Sequence, residues 1–113
     1  MDQMPSPETN QTWQPATVDD VKRIVKADLD TCSLEEVEAY QRYGVEPFSV
    51  PIVRYGSTET VIVVARKLDS VVYWEDVEEG FNVSPISPDG VILEHSCNQD
   101  WLGLAISRLI SET

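Results

Sequence analysis

The sequence predicts a single α+β domain in which three helices pack on one face of a five-stranded, mainly antiparallel meander sheet. Apolar residues recur at three- and four-residue spacing near both ends of the chain, which is typical of amphipathic helices. Between these ends, short runs of β-branched and aromatic residues alternate with turn-forming residues, which indicates strands. Because the helices and strands are segregated and the turns are short, an antiparallel sheet is favoured over alternating β–α units.

The length of 113 residues fits one domain. Residues 1–15 are rich in proline and small polar residues, and Trp13 is their only aromatic side chain. Such a composition buries too little apolar surface to offset the entropy lost on ordering. We therefore expect a flexible proline-rich arm over residues 1–15 and a single α+β domain over residues 16–113.

Two helices are predicted ahead of the sheet. Thr17 can cap the first, whose third position is Asp20, and Ser33 and Glu36 match a capping box at the start of the second. Gly44 supplies a stop for the second helix. The apolar stripes behind these caps are Val18, Val21, Val25 and Leu29 in the first helix, and Leu34, Val37 and Tyr40 in the second.

The third helix is predicted near the end of the chain, from about Gln99 to Ser111. Asn98 or Ser96 can cap it. The broad apolar face that it turns toward the core consists of Trp101, Leu102, Ala105, Ile106 and Leu109.

Five strands are predicted between the second and third helices. Pro51 places the first strand at an edge of the sheet, because proline cannot donate to a ladder. The second strand is apolar on both faces, which indicates a central position. A turn at Ser87-Pro88-Asp89-Gly90 precedes the fifth strand. The predicted bounds are Val50–Tyr55, Thr58–Arg66, Ser70–Glu75, Gly80–Ser84 and Val91–His95.

The charge balance is strongly acidic. Twenty Asp and Glu residues oppose eight Lys and Arg residues, so the net charge is -12. A surface of this sign repels nucleic-acid phosphates and anionic lipid headgroups, and it steers basic proteins toward itself. We therefore expect a basic protein partner rather than a nucleic acid or a membrane.

Several features favour a cytoplasmic location. The first residues lack the basic and apolar regions of a secretion signal, and the longest apolar run is far below the roughly 20 residues that a membrane helix needs. Cys32 and Cys97 lie far apart and form no CxxC pattern. Two reduced thiols in a cytosolic protein are expected.

Catalytic and cofactor motifs are not evident in the sequence. His95, the only histidine, lies two residues before Cys97, and a Cys–His nucleophile pair is the one enzymatic alternative that this spacing offers. The isolated glycines form neither a P-loop nor a dinucleotide fingerprint. The acids between Glu75 and Glu79 could supply oxygen ligands to calcium or magnesium, but the EF-hand spacing is absent. We predict a non-enzymatic protein without a cofactor or a metal.

The most distinctive segment runs from Leu68 to Ser107, which contains eight acids and no lysine or arginine. Aromatic rings beside carboxylates are what a binding surface for a basic protein would offer, since rings supply desolvated contact area and charge speeds encounter. The alternative is a solvated turn, because strand alternation must bury either Tyr73 or Trp74. The predicted partner-binding residues are Tyr73, Trp74, Glu75, Asp76, Glu78, Glu79 and Phe81.

The run from Val71 to Asp76, followed by Gly80-Phe81-Asn82-Val83-Ser84, resembles small immunity proteins of bacterial polymorphic and contact-dependent toxin systems. In that layout an apolar strand ending in aromatics leads into an acidic turn and a Gly-Phe strand. The resemblance implies an inhibitor that blocks a basic toxin, a nuclease or a deaminase, by mimicking the charge of its nucleic-acid substrate. The alternatives are an interaction domain whose acidity serves solubility and a small enzyme that uses His95 and Cys97.

Overall fold

A computed structural model describes residues 16–54, 56–76, 79–92 and 100–112, so the predicted arm over residues 1–15 lies outside the described residues. The described residues form three helices and one four-stranded sheet. The helices are α1 (Val18–Leu29), α2 (Leu34–Tyr43) and α3 (Leu102–Glu112), and the strands are β1 (Gly44–Arg54), β2 (Ser57–Lys67), β3 (Ser70–Glu75) and β4 (Gly80–Pro85).

Both N-terminal helices begin at the predicted caps. The Asp20 N–H donates to the Thr17 hydroxyl at 3.1 Å, and the Thr17 N–H donates to the Asp20 carboxylate at 3.0 Å. The hydrogen bonds from Thr17 lower the pKa of Asp20. Ser33 and Glu36 form the same reciprocal pair at the start of α2. Each box satisfies two N–H groups at its helix start, so the capping signals located both helices.

Helix α3 begins at Leu102, about three residues later than predicted. The Leu102 N–H donates to the Asp28 carboxylate of α1 at 3.0 Å. The predicted caps, Asn98 and Ser96, lie outside the described residues. A side chain from another helix therefore satisfies an N–H that helix geometry leaves without a partner within α3.

The sheet is an antiparallel meander of order β1-β2-β3-β4, and the prediction that Pro51 lies in an edge strand is confirmed. Strand β1 begins at Gly44 rather than at the predicted Val50. The Pro51 carbonyl points away from β2 and accepts a hydrogen bond from the Ile92 N–H at 3.0 Å. Since the nitrogen and carbonyl of one residue point to the same side of a strand, proline removes no bond to β2.

The prediction of five strands is wrong, because the sheet has four. The turn before the predicted fifth strand is present, and Gly90 adopts a φ of 84° in it. Beyond this turn, Ile92 forms isolated bridges with Ile52 of β1 and with Ile86, and the rest of the predicted strand lies outside the described residues. Ile92 thus lies beside β1, at the opposite end of the strand order from β4, and no described strand extends the sheet beside β4.

The sheet is buried on both faces. All three helices cover the first face, while Ile86 and Ile92 pack against the second. A β-bulge after Val63 turns both Val64 and Ala65 toward the helices. The fully or nearly fully buried residues of the helix face are Val21, Val25, Ile62, Val64, Ala65, Val72, Phe81, Leu102, Ala105, Ile106 and Leu109. Those of the second face are Val50, Ile52, Val61, Val63, Val71, Tyr73, Ile86 and Ile92.

The predicted apolar stripe of α1 is buried against this helix face, whereas α2 packs more loosely. Val21 and Val25 are buried in α1. No residue of α2 is fully buried, and Leu34 is 73% exposed. Helix α2 therefore depends on its capping box and on half-buried side chains such as Tyr40.

Two glycines allow close approaches in this layer. A Cβ at Gly44 would lie 2.5 Å from the Tyr40 carbonyl oxygen and 2.8 Å from the Tyr40 ring. A Cβ at Gly103 would meet only the end of the Glu36 side chain, at 2.6 Å. The first obstacle is helix backbone and cannot move cheaply, whereas the second is a flexible carboxylate.

We predict that Gly44→Ala lowers the free energy of unfolding by about 1 to 3 kcal/mol, the range typical of overpacking. Gly103→Ala is its control and should change stability by less than about 1 kcal/mol, because the helix propensity of alanine offsets displacement of Glu36. Urea unfolding followed by circular dichroism measures both. Equal losses in the two variants would contradict the described packing.

Candidate functional site

Strand β3 separates the predicted binding residues onto two faces of the sheet. Tyr73 and Glu75 lie on the second face and are fully buried, while Trp74 lies on the helix face and is half-buried. Phe81, which pairs with Trp74 across the β3–β4 ladder, is also buried. Tyr73 and Glu75 are therefore not available to a partner on this fold, and Phe81 exposes only 1% of its surface. Side chains of β3 alternate between the two faces of the sheet, and because both faces are covered, neither set faces solvent.

Glu75 belongs to a polar group within the second face. Asn82 and Ser84 are buried there too, opposite Tyr73 and Val71 in the ladder. Tyr73, Glu75, Asn82 and Ser84 all have interaction partners. All four residues are buried, so none of them is presented to a partner at the surface.

Trp74 and Asp76 tie the turn after β3 to the start of α1. The Trp74 indole N–H donates to Asp76 Oδ1 at 2.7 Å, and the Ala16 N–H donates to the same oxygen at 3.0 Å. The Trp74 ring meets Phe81 edge to face, with centroids 5.1 Å apart. These contacts hold the Trp74 ring in place at the rim of the helix layer.

An open groove of about 610 Å³ lies between α1 and the β3–β4 turn. A smaller depression of about 230 Å³ shares Ile24, Trp74 and Glu79 with it and extends toward the start of α3. We call the two together the acidic groove. Its lining includes Ala16, Asp20, Arg23, Ile24, Ala27, Asp28, Trp74, Asp76, Glu79, Gly80, Phe81, Asp100 and Trp101.

Most carboxylates of the acidic groove have partners within the chain. Asp20 forms an ion pair with Arg23, and Asp100 pairs with Arg108 at 2.9 Å. Asp28 and Asp76 accept the hydrogen bonds described above. Glu79 differs, because it is exposed and makes no hydrogen bond or ion pair with any described residue. Its charge is thus available to a partner.

Glu79 also has a strained backbone, with a φ of 54°. Left-handed geometry is unfavourable for residues other than glycine, by roughly 1 to 2 kcal/mol. Leu68, in the exposed β2–β3 turn, has a comparable φ of 56°. It lines neither part of the acidic groove and is therefore a matched control for strain.

The structure adds residues that the sequence argument missed. Asp20, Ile24 and Asp28 come from α1, outside the lysine-free segment, and their spacing of four places them on one face of that helix. This spacing was a usable signal. Trp101, assigned to the core face of α3, precedes the helix instead and is 60% exposed beside the groove.

The predicted candidates for metal binding and nucleophilic chemistry lie partly outside the described residues. The described residues hold no group of three or more potential metal ligands. His95, Cys97 and Glu78 lie outside the described residues. Burial, followed by the charge of Glu36, raises the pKa of the Cys32 thiol, so little thiolate forms at neutral pH.

Three comparisons with known proteins were negative: no protein-family profile, curated protein or solved structure matches the chain. Within the described part of the chain, none of the helices has the length and apolar character needed to cross a bilayer.

We predict that Cys32 is alkylated slowly at neutral pH in a Cys97→Ser variant. Because the pKa of Cys32 is raised, its rate should keep increasing above pH 9.0, the ordinary pKa of the group. Iodoacetamide labelling measured by mass spectrometry from pH 7 to 10.5, with an unfolded sample as reference, tests this. A rate that levels off below pH 9 would show an activated thiol instead.

Glu79→Gly is expected to raise the free energy of unfolding by up to about 1 kcal/mol, because glycine relieves the strain and its own entropy cost offsets only part of the gain. Leu68→Gly should do the same. Thermal unfolding of both variants measures the effect. If Glu79→Gly is destabilised while Leu68→Gly is not, the Glu79 side chain supports the fold.

Proposed function

We propose that the chain is a non-enzymatic binding protein whose acidic groove receives a basic segment of a partner protein. The observation that carries this proposal is the meeting of five carboxylates and two accessible indole rings in one groove. These residues are Asp20, Asp28, Asp76, Glu79, Asp100, Trp74 and Trp101.

The two kinds of side chain act in different ways. With a net charge of -12, the protein draws basic partners toward itself over several ångströms and raises the rate of encounter. Trp74 and Trp101 then offer ring surfaces over which a guanidinium group can stack, and arginine suits such sites better than lysine. Charge therefore brings the partner, and the rings fix where it docks.

Glu79 is the acid best placed to meet that partner. The other groove carboxylates already hold Arg23, Arg108 or backbone N–H groups, so a partner would have to displace or share these contacts. Glu79 has no such contact with the described residues and is held in strained geometry beside Trp74. Glu79 and Leu68 are the two exposed described residues with this strain, and only Glu79 lines the acidic groove, where a strained residue suits a functional role.

We further propose that the partner is a basic toxin and that the chain is an immunity-type inhibitor of a nuclease or deaminase. Enzymes that bind nucleic acids present basic residues to phosphate groups, and the acidic groove competes for the same residues. The layout of β3, the acidic turn and β4, which resembles small immunity proteins, supports this choice. The alternative is a protein whose acidity serves only solubility, in which case exposed acids inside and outside the groove are equivalent.

We predict that Glu79→Lys weakens binding of a nona-arginine peptide by about tenfold or more, since a favourable contact becomes a repulsive one. Asp89→Lys is the matched control: Asp89 is exposed in a turn, lies outside the groove and undergoes the same charge change. Isothermal titration calorimetry at low and physiological salt measures both affinities. Equal losses in the two variants would assign the binding to overall charge.

The toxin itself requires a second experiment. Affinity capture from the source cell should yield a basic protein that elutes as salt is raised. Co-expression with that protein should then protect cells, and Glu79→Lys should abolish protection while Asp89→Lys retains it. A captured partner that stays bound at high salt, or protection by both variants, would overturn the proposed mode of inhibition.

A further inference from the structure

Helix α1 has a second cleft on its other side, between α1, α2 and the start of β1. Its volume is about 440 Å³, within the range of small-molecule sites. We call it the basic cleft and define it by Lys22, Val25, Lys26, Leu29, Tyr40 and Val45. It shares no lining residue with the acidic groove.

Among the residues that line the basic cleft, lysines outnumber carboxylates. Lys22 forms an ion pair with Glu46 at the rim. Lys26, one turn further along α1, has no ion-pair partner among the described residues. Two lysines against one carboxylate leave a surplus of one positive charge on a chain whose net charge is -12. An anion is therefore favoured here, whereas the acidic groove would repel it.

The floor of the basic cleft is apolar and held in place by packing. Val25 is buried, and Leu29 and Tyr40 pack against the helix-face core. Gly44 allows the Tyr40 ring to lie directly against the backbone, where even a Cβ would clash. The Tyr40 hydroxyl has a raised pKa, first because of burial and then because of Glu46, so it remains a neutral donor at physiological pH.

We infer that the basic cleft binds a small amphipathic carboxylate, with its apolar body over Val25, Leu29 and Tyr40 and its carboxylate at Lys26. A purely apolar ligand would make no ionic contact with the Lys26 ammonium, and a cationic ligand would be repelled by it. The negative net charge of the protein repels every phosphate of a polyanion such as a nucleic acid, whereas it repels only the single charge of a small monoanion. This inference is independent of the proposed inhibitor function.

Octanoate is the probe for this inference, and octyltrimethylammonium, with the same tail and the opposite charge, is its control. Titration of the full-length ¹⁵N-labelled protein should shift the amide signals of residues 22–29 and 40–46 with octanoate and not with the cation. Shifts confined to other regions, or equal shifts with both probes, would overturn the inference.

Lys26→Gln should weaken octanoate binding by about tenfold, as expected for losing a hydrogen bond to a charged group. Arg42→Gln is the matched control, because it also removes one positive charge. Arg42 is exposed in the last turn of α2 and does not line the cleft. It should change the affinity less than twofold. Thermal unfolding confirms that both variants fold, and an unchanged affinity in Lys26→Gln would contradict the site.

Discussion

Burial of strand β3 on both faces is the constraint on which the rest of the structure depends. Tyr73 and Glu75 point into one apolar layer, so Trp74 must point into the other, beneath the helices. The helix layer covers that face only partly, and Trp74 stays half-buried at its rim. An aromatic ring thus remains accessible next to the turn that carries Asp76 and Glu79, and this turn forms one wall of the acidic groove.

The acidic groove is assembled from three separate parts of the chain, and polar contacts between them keep it together. The Ala16 N–H binds Asp76, the Leu102 N–H binds Asp28, and the Phe81 N–H binds the Asp100 carbonyl at 2.9 Å. Two of these contacts use carboxylates that also line the groove. The same acids therefore support the fold and shape the surface that a partner would meet. Glu79 alone combines exposure, a strained backbone and a carboxylate without a partner among the described residues.

Local signals predicted local structure well. Both capping boxes, the edge position of Pro51 and the bounds of β3 follow from short-range chemistry that tertiary contacts did not override. One expectation failed, and one choice stayed open, because both depend on long-range packing. The apolar segment near Ile92 satisfies strand propensity, yet it bridges the edge strand β1 instead of extending the sheet beside β4. Alternation along β3 showed that one of two rings must be buried, but only the covered second face reveals that it is Tyr73.

Helix α1 lies between the acidic groove and the basic cleft and contributes charged residues to both. Its acids Asp20 and Asp28 line one groove, and its lysines Lys22 and Lys26 line the cleft on the other side. The most direct test of the central claim is the ¹H–¹⁵N spectrum of the indole groups during titration with nona-arginine at physiological salt. Binding in the acidic groove predicts saturable shifts of the indole signals of Trp74 and Trp101, with smaller shifts in the Glu79→Lys variant. Indole signals that stay fixed while the peptide binds would contradict the claim.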